Sequence, residues 1–391
     1  MKLKRFFESP HSLLRMALIF GCLGSGGTGF VQAEQFWVYV GTYTGAKSKG
    51  VYAALFETRD GSFRPAQLAA AAQDPSFLAA HPSGKFLYAV NEVSEFQGGS
   101  GGGLSAFRVD AASGKLTPMN SQPSKGAAPC HVMVDRAGKT AFLANYSGGS
   151  VASYPIHSDG SLGGPVSFQQ HAGKGPDAQR QNGPHAHSIY LDHDNRFALA
   201  ADLGLDQILV YRYDSGKSSL VANDPPFVRL KPGAGPRHLA FHPQGKLLYS
   251  INEMNSTITA FHYDGAKGEL HDFQTVSTLP TGFTGQSSTA EIFVHPSGHF
   301  LFGSNRGHDS IVVFTVDPSS GSLTLLQHQP IGGKTPRGFR IDPSGRWLLV
   351  GNQESDQITV FQIDRGTGRL TPVGKPLEVP SPVSLEFVKA R

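Results

Sequence analysis

The sequence predicts an all-β fold: a seven-bladed β-propeller, with four antiparallel strands per blade and the first blade closed by the C-terminal strand. Three observations carry this. First, one phrase recurs: a short apolar run, a turn, a second apolar run and a polar residue. It occupies Pro75–Asn91, Pro129–Asn145, Pro184–Asp202, Pro236–Asn252, Ser288–Asn305 and Pro336–Asn352. Second, its spacing of about fifty residues is that of propellers and solenoids. Third, the chain holds 47 Gly and 26 Pro with only 16% charged residues, as expected of many short strands joined by tight turns.

Residues 1–33 stand apart from this pattern. Lys2, Lys4 and Arg5 precede a short apolar core, Met16–Leu23, and Val31-Gln32-Ala33 leads to Glu34. Such a segment reads as a secretory signal, too short for a stable membrane span. A lipid anchor at Cys22 is the alternative, but Phe20 is bulky for that motif. Residues 34–391 are then the mature propeller domain, periplasmic or secreted, with no membrane attachment after cleavage. The segment carries Lys2, Lys4, Arg5 and Arg15 against Glu8, net +3 of the whole-chain +4. What remains is close to neutral, so no basic stripe argues for nucleic acid. Cys130 is the one cysteine left. It cannot form an internal disulfide, and beside Pro129 it reads as a buried small hydrophobe.

Seven units emerge when the second apolar runs are aligned at Val38, Leu87, Phe142, Phe197, Leu247, Leu301 and Leu348. The unit opening at Pro236 shows the strands, named a to d: Leu239–His242, Leu247–Asn252, Thr257–Tyr263 and Leu270–Thr275. Gly, Pro, Asp and Asn between them suit tight reversals. Strand c alternates only imperfectly, with Ile258, Ala260 and His262 against Thr257, Thr259 and Phe261. The first unit enters directly at Phe36–Gly41 with no strand a before it, and Pro382–Val388 reads as a strand a with no b after it. Pairing the two completes the first blade and removes a sheet edge. Gln97–Gly103 (QGGSGGG) reads as a flexible loop between b and c. It lacks the Gly-Lys-Ser/Thr ending of a phosphate-cradling loop.

Strand a crosses the disc and strand b returns, so starts of a and ends of b meet at one face beside the central channel. The starts carry His131, His185, His187, Arg237, His238, Glu291 and Arg337. The ends carry Glu92, Tyr146, Asp202, Glu253, Arg306 and Gln353. The opposite face holds the a–b turns, which are monotonous (HPSG, HPQG, HPSG, DPSG), and His81, His242 and His295 there read as turn-stabilising. A uniform face beside a varied one is how a rigid scaffold usually carries a site. His185 and His187 alternate as two metal ligands would, but no third ligand is evident. Asp202 reads as an acceptor in the b–c turn. No Gly-x-Ser-x-Gly elbow, paired CxxC or nucleotide-binding loop is present.

The ordered motifs His187-Ser188, Gly235-Pro236-Arg237-His238 with Phe241-His242-Pro243, Asn252-Glu253, Asn255-Ser256, Asn305-Arg306 and Pro336-Arg337-Gly338-Phe339 resemble the seven-bladed propeller lactonases. That family is of the 6-phosphogluconolactonase type and related to carboxymuconate cyclases. The resemblance spans about Phe36 to Val388. It implies active-site positions at His187, Arg237, Glu253 and Arg306, with Arg337 in the same funnel. It also implies a small-molecule lactone as partner; no cofactor is expected, and the residues show no complete metal-ligand set. On this reading His187 is the general base with Glu253 as competitor, and Arg237 stabilises the oxyanion. Arg306 and Arg337 bind a carboxylate or phosphate, with His131 and His238 also in the substrate-binding set. The resemblance implies a sugar lactonase yielding an aldonic acid, although export separates this chain from enzymes whose phosphorylated lactone is made inside the cell. The other readings are a cycloisomerase of a carboxymuconate-type dicarboxylate and a non-catalytic exported binding propeller.

Overall fold

Short apolar runs broken by Gly- and Asp-centred turns fold into seven antiparallel sheets in the computed structural model, which describes residues 34–391. The expected secretory signal and Cys22 lie outside the described residues. Among the described residues, no helix is long and apolar enough to cross a membrane. The blade opening at Pro236 has strands Pro236–Phe241, Leu247–Asn252, Thr257–Asp264 and Glu269–Ser277. Strand a therefore starts three residues earlier than expected and ends one earlier, because His242 belongs to the turn.

The first blade is assembled from both ends of the described chain. Pro382–Lys389 pairs antiparallel with Gln35–Thr42, in the register Trp37↔Val388 and Val40↔Leu385. Gly50–Glu57 follows, and the outermost strand is split into Ser62–Phe63 and Gln67–Ala71. The Trp347 indole of the seventh blade donates to the Thr58 carbonyl of the first at 2.9 Å, fastening the last neighbour to the closing one.

Strand b is buried at every position in Phe86–Asn91, Thr140–Asn145, Phe197–Asp202 and Trp347–Asn352. The cause is that adjacent sheets stack face to face. Tyr88, Val90 and Leu104 of one blade pack with Ala141, Leu143 and Tyr154 of the next. Each large side chain fully buried this way contributes about 1.5–3 kcal/mol. Burial on both faces also explains the broken alternation of strand c, where Ile258, Thr259, Ala260 and Phe261 are all buried.

The Gly-rich stretch from Gln97 is more ordered than expected. Glu95–Phe96 pairs with Gly99–Ser100 as a small hairpin, and the Phe96 ring covers Gly103, where a Cβ would come within 2.5 Å of it.

The uniform a–b turns latch the ring. His81, His242 and His295 each place Nε2 at 2.8–3.0 Å from the carbonyl of the turn glycine in the next blade, Gly138, Gly298 and Gly345. These glycines are left-handed, with φ of 79° at Gly298, and a Cβ on Gly298 would lie 2.5 Å from His242 Nε2. One contact thus fixes both residue types. Gly298→Ala is expected to cost about 1–3 kcal/mol, and adding His242→Ala should cost little more, because both act on the same contact. Urea midpoints of the two single variants and the double variant check this. Full additivity would separate the two residues.

Candidate active site

The geometry at the other face rests on one extra residue near the start of strand a. The a–b register slips between Pro129 and His131, Ala186 and Ser188, Pro236 and His238, Thr289 and Ile292, and Pro336 and Gly338. The closing blade slips likewise at Pro382, opposite Gly41 and Thr42. In a regular strand, neighbouring side chains face opposite ways. A bulge re-aims one of them. Arg237 and His238, consecutive in sequence, both line one small cavity, together with Glu92, Cys130, Glu291 and Arg337.

Glu253, at the end of a strand b, is the electrostatic centre. Its Oε2 lies 2.9 Å from Arg237 Nε and 2.9 Å from Arg306 Nη2, and its Oε1 lies 2.6 Å from Arg180 Nη2. Burial pushes the Glu253 carboxyl up, but Arg306, Arg237 and Arg180 outweigh it and hold it down at about 2. Burial also lowers Arg306 to about 10, against the opposing pull of Glu253. A carboxylate so committed is a weak base and a strong anchor for guanidinium groups. Arg237 uses Nη1 on the Ala290 carbonyl at 2.6 Å. Arg337 donates to the Tyr43 hydroxyl at 2.8 Å and lies over its ring, and Tyr43 in turn donates to Glu92 at 2.9 Å.

Three imidazoles gather beside the arginines. The ring centroids of His187 and His131 lie 5.2 Å and 5.3 Å from that of His238. His131 is wedged between Phe77 and Tyr190 and does not line the cavity. Burial first, then Arg237, His238 and Arg337, push His187 well below the ordinary histidine range. Its Nδ1 faces Cys130 Sγ at 3.7 Å. Burial raises the Cys130 thiol far above its usual range, in keeping with an inert buried residue.

His187, Arg237 and Glu253 are thus brought to one face together with Arg306, Arg337 and His238. The metal pairing of His185 with His187 finds no support: His185 stacks on Tyr146 and bonds its carbonyl at 3.1 Å. Among the described residues, no group of three or more His, Cys, Asp or Glu side chains is arranged to hold a metal. Asp202 accepts the backbone N–H groups of His185 and Leu205, as a turn acceptor does. It also pairs with His171 at 2.6 Å, and His171 bonds Tyr211 at 2.9 Å.

Arg180, Tyr43 and His171 lie outside the repeated phrase. Arg180 sits in the long d–a connection before Pro184. There Asp177 caps the backbone of Gln179 and Arg180, and buried Gln181 bonds Leu203 and Asp206. The signal for that connection was its length, which no other blade shares.

The chain belongs to the family described as "Lactonase, 7-bladed beta-propeller", whose model matches residues 37–387. It is 37% identical over 304 residues to a 6-phosphogluconolactonase of Bacillus subtilis, covering 78% of this chain and 84% of the relative. A 6-phosphogluconolactonase of Formosa agariphila is 33% identical over 310 residues, covering 78% and 86%. Among solved structures, the periplasmic gluconolactonase of Pseudomonas aeruginosa superposes with a TM-score of 0.85 at 34% identity, over 91% of this chain and all of that one. A putative 6-phosphogluconolactonase of Bacteroides fragilis gives 0.84 at 37% identity, over 91% and 98%. The lactonase expectation is supported, and the fold is the one expected.

Glu253 makes a pH prediction. Its carboxyl falls from the ordinary 4.5 to about 2 on folding, so its stabilisation is complete above about pH 4.5 and is lost as pH falls through 2. Glu253→Gln strands buried guanidinium groups and should cost about 3–5 kcal/mol at neutral pH. The gap to wild type should narrow as pH falls from 5 toward 2 in denaturant titrations. A gap independent of pH would contradict the anchoring role.

Proposed function

We propose that the mature domain, residues 34–391, is an exported lactonase that hydrolyses a sugar lactone to its aldonic acid. The supporting observation is the charge at the mouth: four guanidinium groups, Arg180, Arg237, Arg306 and Arg337, against the three carboxyl groups of Glu92, Glu253 and Glu291. Lactone opening turns a neutral carbonyl into an oxyanion and then a carboxylate, and an excess of preorganised donors stabilises both. Arg237 has two of its nitrogens fixed, to Glu253 and Ala290, and its Nη2 makes no hydrogen bond among the described residues. That nitrogen is the donor for the oxyanion. Glu253 positions it rather than taking a proton. The proton acceptor is an imidazole of the adjoining cluster.

Arg306 and Arg337 sit deep, whereas the Arg180 side chain is 45% exposed at the rim. Arg180 is placed to meet the far, anionic end of a substrate. The N-terminal basic and apolar segments support the export part of this reading, as does a structural relative of similar sequence that is a periplasmic gluconolactonase.

Initial rates of acid release from 6-phosphogluconolactone and gluconolactone, corrected for spontaneous opening, test this reading, and product mass separates water addition from isomerisation. Arg237→Ala should lower kcat about 10²–10³-fold. Arg180→Ala should raise the KM of the phosphorylated lactone at least about tenfold and that of the neutral lactone less. Equal effects on both substrates would remove Arg180 from substrate selection. Mass spectrometry of protein recovered outside the cytoplasm should find the chain beginning at Glu34.

A further inference from the structure

One buried group in the cavity wall is unexplained by the reactions assigned so far. His238 is 2% exposed and its ring borders the cavity, yet its Nε2 has no hydrogen-bond partner among the described residues. Leaving a buried polar atom unpaired is costly. Its other nitrogen is firmly held: Nδ1 lies 2.7 Å from Glu291 Oε1. Glu291 is 4% exposed. The same oxygen accepts the Ile292 N–H at 3.0 Å, and the Glu291 N–H is tied to Ser304 Oγ at 2.9 Å. A carboxylate fixed at Nδ1 makes that nitrogen the N–H donor and leaves the Nε2 lone pair directed at the cavity.

Building on the lactonase reading above, we propose that His238 is the general base of lactone hydrolysis, acting through Nε2, with Glu291 as its positioning residue. The water oxygen bonds to the lactone carbonyl carbon while its proton passes to Nε2. The carbonyl π pair moves onto oxygen, facing Arg237. The intermediate then collapses: the bond from the carbonyl carbon to the ring oxygen breaks, and that oxygen leaves as a hydroxyl with the proton from Nε2–H. His238 ends neutral, and the hydroxy acid loses its own proton to solvent. A His base oriented by a carboxylate is the logic of the hydrolase triads, here without a side-chain nucleophile.

The neighbouring alternatives are less suited. His187 has no carboxylate within ion-pair distance among the described residues, and its Nδ1 meets a thiol. Glu253 is committed to three guanidinium groups.

The groups facing the pair keep His238 unprotonated. Arg237 precedes it on its own strand, and Arg337 and Arg306 approach from other blades. With burial as the largest cause, they push its imidazole well below the ordinary range, against the opposing pull of Glu253. Burial raises Glu291 to about 7, opposed by Arg237, His131 and Arg340. His187 and Tyr190 complete the surroundings through their rings.

The test uses the full chain and both lactones across pH 5–9. Wild-type kcat should rise through an acid limb near pH 7, as Glu291 loses its proton. His238→Gln should lower kcat about 10²-fold or more with little change in KM. Glu291→Gln should lower kcat at least about tenfold and remove the limb, and Glu291→Asp should restore part of it. His238→Asn serves if the Gln variant does not fold. Independently of activity, nitrogen NMR of the wild type labelled at histidine should show His238 protonated on Nδ1 and bare on Nε2 at pH 9, above the acid limb.

An Nε2-protonated tautomer, or an imidazolium, at pH 9 overturns the proposal. So does an active wild type matched by His238→Gln, or one whose limb is removed by His187→Gln while His238→Gln changes only KM. If the wild type opens neither lactone, the functional reading fails and the base role with it, and an Nδ1–H tautomer would then show that the pair itself was described correctly.

Discussion

A single added residue in six of the seven innermost strands is the constraint on which this site depends. Seven strands converge on one axis, and a regular strand could offer only every second side chain to it. The slips at Ala186/Ser188, Pro236/His238, Thr289/Ile292 and Pro336/Gly338 break that rule where the blades meet the mouth. They let Arg237 and His238 face the same cavity in succession. Bulges bend a strand and cost ladder hydrogen bonds, and a closed ring of stacked sheets can absorb that local loss.

The two faces of the disc divide the work. At one, His–Gly latches between successive turns repeat with small variation. At the other, Glu253 gathers Arg180, Arg237 and Arg306, and Glu291 holds His238. Buried charge is stabilised only when its partners are fixed. The ring closure through Pro382–Lys389 and the Trp347–Thr58 bond provide that fixity, which ties the chemistry of the mouth to contacts on the far side of each blade.

The scaffold was legible in the sequence because it is periodic. The repeated phrase reveals the blade number, the orphan run at Pro382 its closing partner, and the turn signature the latch face. The list of mouth residues follows from topology alone, and Arg237, Glu253, Arg306, Arg337 and His238 are indeed neighbours. What resisted was aperiodic. Arg180 and His171 lie in a connection with no counterpart in other blades, and the hairpin at Glu95–Ser100 hides in Gly-rich composition. Strict alternation paired His185 with His187, but the bulge places Ala186, not His187, opposite Asp202. The ranking of bases also could not be read from residue types. His187 and His238 differ in whether a carboxylate sits at Nδ1, and that depends on a contact between residues 53 positions apart.

The most direct measurement is a crystal structure of the protein with its aldonate product or a non-hydrolysable lactone analogue. The account predicts the ligand's carboxyl carbon between Arg237 and His238, with one ligand oxygen at about 3 Å from Arg237 Nη2 and another, or a water, at about 3 Å from His238 Nε2. A ligand seated away from this mouth, or one whose carboxyl group meets neither residue, would contradict it.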